Sequence, residues 1–73
     1  MEEKKGNIEI FVNGKNFRTT TPKKIGDFLR ELGLKPERCV VEVNLKAKKY
    51  SDFDGEFLND GDRLYVMSVV AGG

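Results

Sequence analysis

Apolar residues fall at every second position between Asn7 and Asn13. Ile8, Ile10 and Val12 occupy one side, Glu9 and Phe11 the other. That period predicts a half-buried strand. Asn13-Gly14 follows, and both residues tolerate the positive φ of a type I′ hairpin turn. Lys15 to Thr20 is then the returning strand, with Phe17 and Thr19 on one face. Beyond it the period changes. Ile25, Phe28, Leu29 and Leu32 stand at i, i+3, i+4 and i+7, the single apolar stripe of a helix. Thr21-Pro22 is a cap-and-first-turn signature and predicts that this helix begins there. Lys23 and Lys24 would then lie in its first turn, against the helix dipole. Gly33 supplies a left-handed C-terminal residue, and Leu34 the apolar contact that accompanies it.

The second half of the chain returns to strands. Lys35 to Arg38 is a connector. Cys39 to Val43 reads as the third strand, with Cys39, Val41 and Val43 inward and Glu42 outward. Asn44 to Lys49 is polar and suits a short edge strand, whose lysines discourage edge-to-edge pairing. Tyr50 to Leu58 is irregular, with Phe53, Phe57 and Leu58 expected to anchor it on the core. Asn59-Asp60-Gly61-Asp62 is a turn. Arg63 to Val69 is the last strand, with Leu64 and Val66 on one face and Tyr65, Met67 and Val69 on the other. One helix with one stripe needs one sheet face to cover it. The order predicts an α+β fold of the β-grasp type: a mixed four- to five-stranded sheet packed on one α-helix. Its first and last strands would run parallel at the centre. The domain would span residues 7–69, between a flexible lead of residues 1–6 and a flexible C-terminal tail of residues 70–73.

Composition narrows the function. A chain of 73 residues makes one small domain with little room for a buried active site. Thirteen basic against twelve acidic residues leave a net charge of +1, too balanced for a nucleic-acid binder. One cysteine and no histidine exclude an internal disulfide and a Cys/His metal site. Nothing in the sequence suggests a catalytic triad, which argues against an enzyme. The first residues carry no apolar signal-peptide core, and no apolar run approaches the roughly 20 residues of a membrane span. A cytoplasmic protein that binds neither membrane nor nucleic acid is expected. Cys39 has inward parity and reads as a core residue rather than a reactive thiol.

Two features remain as candidate chemistry. If Ile8, Ile10, Leu64 and Val66 face the helix, then Phe11, Val40, Tyr65 and Met67 lie on the opposite sheet face. Exposed, they would form an apolar patch of the kind that marks a partner site; folded under residues 50–58, they would form a second small core. Lys46, Lys48, Lys49 and Arg63 either steer an acidic partner or are merely solvated. The second feature is Val70-Ala71-Gly72-Gly73. Two glycines make this stretch thin enough to thread where a side chain would clash.

Asn13-Gly14, Val43-Asn44, Asp60-Gly61-Asp62 and Val70-Ala71-Gly72-Gly73, in this order and spacing, resemble the ThiS/MoaD ubiquitin-like sulfur carriers. The short length resembles the thiamine branch (ThiS) more than the molybdopterin branch (MoaD), although Leu45 to Lys49 lacks the apolar-Pro segment common there. The resemblance implies that an ATP-dependent, ubiquitin-activating-type adenylating enzyme (ThiF/MoeB-like) activates the Gly73 carboxylate. The carboxylate then becomes a thiocarboxylate that donates sulfur. The further partners implied are a cysteine desulfurase or rhodanese-type sulfur donor and either thiazole synthase or the large subunit of molybdopterin synthase. No cofactor is expected on the chain itself, ATP being used by the partner. A ubiquitin-like modifier, conjugated through the same Gly73, is the alternative in another class.

Overall fold

The structure is a computed structural model and describes residues 6–69. The lead up to residue 5 and Val70, Ala71, Gly72 and Gly73 lie outside the described residues.

Strand β1 (Gly6–Val12) pairs antiparallel with β2 (Lys15–Thr21) in unbroken register from Gly6↔Thr21 to Val12↔Lys15. Asn13 (φ 50°) and Gly14 (φ 87°) make the predicted two-residue turn. Ile8, Ile10 and Val12 are buried, as the alternation requires. Helix α1 (Ile25–Glu31) is followed by β3 (Cys39–Val43), the short β4 (Lys46–Lys48) and β5 (Arg63–Ser68). The sheet order is β2-β1-β5-β3-β4, with β1 and β5 parallel and the other pairs antiparallel. One face packs on α1. Ile8, Ile10, Val41, Leu64 and Val66 from the sheet meet Ile25, Phe28 and Leu29 from the helix, and Phe53 and Leu58 close the side. This is the β-grasp arrangement of an α+β fold. No helix among the described residues is long and apolar enough to cross a membrane.

The helix ends as predicted and begins elsewhere. At its C-terminus the Gly33 N–H donates to Arg30 C=O at 2.9 Å and the Leu34 N–H to Leu29 C=O at 3.0 Å, with Gly33 at φ 83°. This is the paired bonding of a Schellman motif. At the N-terminus, Thr21 is still in β2, opposite Gly6, and the helix starts three residues beyond Pro22. Lys24 is extended there (ψ 154°) and forms a bridge with Phe57. The free N–H groups of the first turn find backbone partners rather than the Thr21 hydroxyl: Ile25 donates to Glu56 C=O at 3.1 Å and Gly26 to Phe53 C=O at 3.0 Å. Such groups need partners from somewhere, and here a distant loop supplies them. Lys23 and Lys24 therefore precede the helix rather than fill its first turn.

That same loop decides the fate of the aromatic residues at 50–58. Phe53 and Leu58 are buried as anchors, but Phe57 is 52% exposed and does not anchor. Its backbone is taken by the bridge to Lys24, and its ring lies 5.9 Å from the Lys24 ammonium. The loop lines the start of the helix instead of crossing the outer sheet face.

A polar staple joins β2 to the helix end. The buried Thr19 hydroxyl donates to Glu31 Oε1 at 2.7 Å, and Lys23 forms an ion pair with Glu31 Oε2. Together, the Lys23 bond first and the Thr19 bond second, they hold the Glu31 carboxyl below its ordinary value of 4.5. A depressed folded value means a stabilising contribution that is complete above the ordinary value and lost as pH falls through the folded one. The wild-type melting advantage over Glu31→Gln should therefore be full at neutral pH and fade below about pH 4.5. Because Glu31 is largely exposed, the advantage should be modest. Thermal melts across that range check it.

Candidate functional site: the last strand and the outer sheet face

Strand β5 is the element to which the sequence motifs attach. At its start, the Asn44 N–H donates to Arg63 C=O at 2.8 Å, and Asn44 Oδ1 accepts from the Arg63 N–H at 3.0 Å. The Asn44 amide also donates to Asp62 Oδ1 at 2.9 Å, while Asp62 Oδ2 accepts from the Asn59 N–H at 2.7 Å. Asp62 is buried, and these bonds satisfy a carboxylate that would otherwise be costly there. Asp60 Oδ1 accepts from the Glu9 N–H, and the Gly61 N–H donates to Glu9 C=O, both at 2.7 Å. Gly61 adopts φ 88°, a conformation that favours glycine. The turn is thereby tied to β1 and to the residue that follows β3.

Further along, β1 and β5 pair directly at Phe11↔Arg63 and Val12↔Leu64. The Asn13 N–H then donates to Leu64 C=O at 2.9 Å. At that point β1 turns away into the hairpin and β5 continues. The Asn13 side chain takes over: its Oδ1 accepts from the Val66 N–H at 2.9 Å and its Nδ2 donates to Val66 C=O at 3.0 Å. On the other side, β3 follows β5 to Cys39↔Ser68, and the Val69 N–H donates to Arg38 C=O at 2.7 Å. β5 is thus paired with β3 through Ser68, one residue short of the expected Val69, whose N–H still bonds Arg38 beyond the strand. Sequence reasoning singled out Asn13, Asn44 and Asp62 as parts of motifs, but not as side chains bonded to, or at the start of, the last strand.

The outer face is open. Val40, Tyr65 and Met67 are 59%, 57% and 67% exposed. The register places Val40 opposite Met67 and Glu42 opposite Tyr65, so these side chains share one side. With Asn13, Glu42 and Val66 they line a shallow groove beside the end of β5. Phe11 shares the face but is half-buried, with the Arg63 guanidinium 5.1 Å from its ring centre. Of the cations on the polar segment, Lys48 is bonded to Glu56 at 2.7 Å, which raises its pKa.

One contributor was not legible beforehand. Asn44 (φ 51°) and Leu45 (φ 71°) form the turn between β3 and β4, and Leu45 is 79% exposed. A bulky residue in the left-handed region is uncommon. Leu45 lines a second groove with Phe11, Asn44, Arg63 and Tyr65 on the same face. Nothing in its residue type signals a turn. Cys39, by contrast, is half-buried with its thiol donating to Lys35 C=O at 3.3 Å. Burial, and secondarily Glu37, push that thiol above its ordinary value, away from the thiolate that reactivity needs.

Comparison with known proteins places this geometry. The model of the ThiS family matches residues 5–73. The uncharacterized protein ycf40 of Pyropia yezoensis is 36% identical over 67 residues, covering 92% of this chain and 94% of that protein. Its counterpart in Porphyra purpurea is 30% identical with the same coverage. A thiazole synthase of Paramagnetospirillum magneticum is 27% identical over 66 residues, which are 90% of this chain but 20% of that protein. The chain belongs to the ThiS family, whose members are small sulfur-carrier proteins.

Proposed function

We propose that this chain carries sulfur as a thiocarboxylate on Gly73, for thiazole formation in thiamine synthesis. The observation that carries the reading is the family match running through to Gly73. The similarity to one fifth of a thiazole synthase supports the thiazole branch. The carrier is the substrate of a partner enzyme, and ATP belongs to that partner. The Gly73 carboxylate attacks the α-phosphate of ATP, and pyrophosphate leaves. A persulfide from a cysteine desulfurase or rhodanese-type donor then displaces AMP, giving an acyl disulfide. A thiol then attacks the donor's cysteine sulfur in that acyl disulfide, leaving the transferred sulfur on Gly73 as the thiocarboxylate and the donor cysteine in a new disulfide. No step needs a catalytic side chain of the carrier. What the carrier must provide is reach and docking. Four extended residues span on the order of 13 Å, and Gly72 and Gly73 add no bulk beside the reacting carbon.

Val40, Tyr65 and Met67 provide the docking face in this reading, with Phe11 at its margin. Met67→Glu is expected to raise the KM for the carrier in ATP-dependent pyrophosphate release by about 10-fold or more. As an exposed substitution it should change stability by no more than about 0.5 kcal/mol. An unchanged KM would remove the patch from the interface.

Incubation with the adenylating enzyme, ATP and a sulfur donor tests the function. An ATP-dependent gain of about 16 Da, oxygen replaced by sulfur, is the expected intact mass. No gain, or higher-mass conjugates to lysines of other proteins, would overturn the proposal. Thiazole formed when the charged carrier meets thiazole synthase supports the thiamine branch, and transfer only to molybdopterin synthase contradicts it.

A further inference from the structure

We infer that Asn13 is a positioning residue, whose side chain fixes the line along which β5 delivers the C-terminal tail. The inference rests on the reading of Gly73 as the activated group. A strand that must aim a tail needs support on both sides near its end. On the β3 side, backbone pairing extends to Ser68, with Val69 bonded to Arg38 beyond it. On the β1 side, backbone pairing stops at Leu64, because β1 turns at Asn13. The Asn13 amide replaces the missing strand. It presents one acceptor and one donor, and Val66 uses both, at 2.9 and 3.0 Å. These replace the two bonds that a neighbouring strand would have made to Val66, and they span 53 positions of sequence.

The residue type is doubly constrained. Position 13 lies at φ 50° in a two-residue turn, where Asn, Asp and Gly are the residues best suited. Of these only Asn carries both a donor and an acceptor in an amide plane. Glycine would keep the turn and lose the clamp. Aspartate would keep the acceptor and turn its second oxygen toward the Val66 carbonyl. Val66 lies between Tyr65 and Met67 and four residues before the tail begins, so a loosened β5 misdirects the tail while the outer face keeps its apolar side chains.

The test compares wild type with Asn13→Gly, first alone and then with the adenylating enzyme and ATP. In the free protein, the Val66 amide of N13G should exchange with solvent on the order of 10-fold faster, while the amides of α1 stay protected. In pyrophosphate release, kcat should fall about 10-fold, with the KM for the carrier within about two-fold, since misplacement costs rate rather than docking. A role in contacting the enzyme would raise KM and leave kcat alone. A purely structural role would leave both alone wherever the variant is folded. Either result overturns the inference, as does unchanged exchange at Val66. Should N13G not fold, Asn13→Asp carries the same test, with the same split expected at smaller size. Wild type that releases no pyrophosphate sinks the parent reading and this one with it. Wild type that turns over beside an equally fast N13G sinks this inference alone.

Discussion

A chain ending at Gly72 is expected to lose activation by at least about 10²-fold while folding as before. The reason is distance. Each extended residue adds about 3.3–3.6 Å of reach, so the shortened chain places its carboxylate that far from the α-phosphate. Reacting atoms must come within roughly 3–3.5 Å, and a shift of about 1 Å can already cost 10²-fold. The core has no stake in the change: every residue of the hydrophobic cluster lies between Ile8 and Val66. Pyrophosphate release and a thermal melt of the same sample check both halves. A truncated chain that is activated normally would move the reacting group away from Gly73. A truncated chain that melts much earlier would make the tail structural.

Phe28→Ala should have the largest effect on the fold. Phe28 is among the largest fully buried side chains, on the helix stripe that faces the sheet. Truncating a buried Phe to Ala costs about 3–5 kcal/mol. A domain of this length has roughly 4–11 kcal/mol in total, so the variant should be close to unfolding at 37 °C. Each kcal/mol is worth about 4–8 °C in a domain of 60–100 residues. The drop in Tm, read by circular dichroism, should therefore exceed about 12 °C. Val40→Ala, on the exposed face, is the matched comparison and should shift Tm by no more than about 4 °C. Near-equal melting of the two would mean that the helix stripe is not the core.

The contrast between those two residues was legible in the sequence, because period and parity are local. Ile8, Ile10 and Val12 alternate, Ile25, Phe28 and Leu29 recur on one helical face, and each fell on the buried side. Turn chemistry was legible for the same reason: Asn13-Gly14, Gly33 and Gly61 take the positive φ that their types allow. The errors arose where a distant partner decided the outcome. Thr21-Pro22 has the composition of a helix start, but pairing with Gly6 keeps Thr21 in a strand, and the Phe53 and Glu56 carbonyls cap the helix instead. Phe57 reads as an anchor, yet its backbone bridges Lys24 and its side chain stays exposed. Leu45 reads as strand and stands in a turn. For the site, parity alone put Val40, Tyr65 and Met67 on one face. Whether the 50–58 loop covered them required the tertiary path of that loop, and it passes the helix start. The Asn13, Asn44 and Asp62 side chains were visible as a pattern without a role. Apart from the Asn59 N–H on Asp62, three positions off, their partners lie 18 to 53 positions away, beyond any local period.

Met67 complicates the reading of mass alone. It is exposed, and conversion to its sulfoxide also adds about 16 Da. A persulfide on Cys39 would add about 32 Da instead. Sulfur on Gly73 is therefore tested by fragmenting the intact carrier after incubation with the adenylating enzyme, ATP and a sulfur donor. An ATP-dependent gain of about 16 Da is expected, confined to fragments that contain Gly73 and absent from those ending at Val69. A gain that maps to Met67 or Cys39, or that forms equally without ATP, would contradict it.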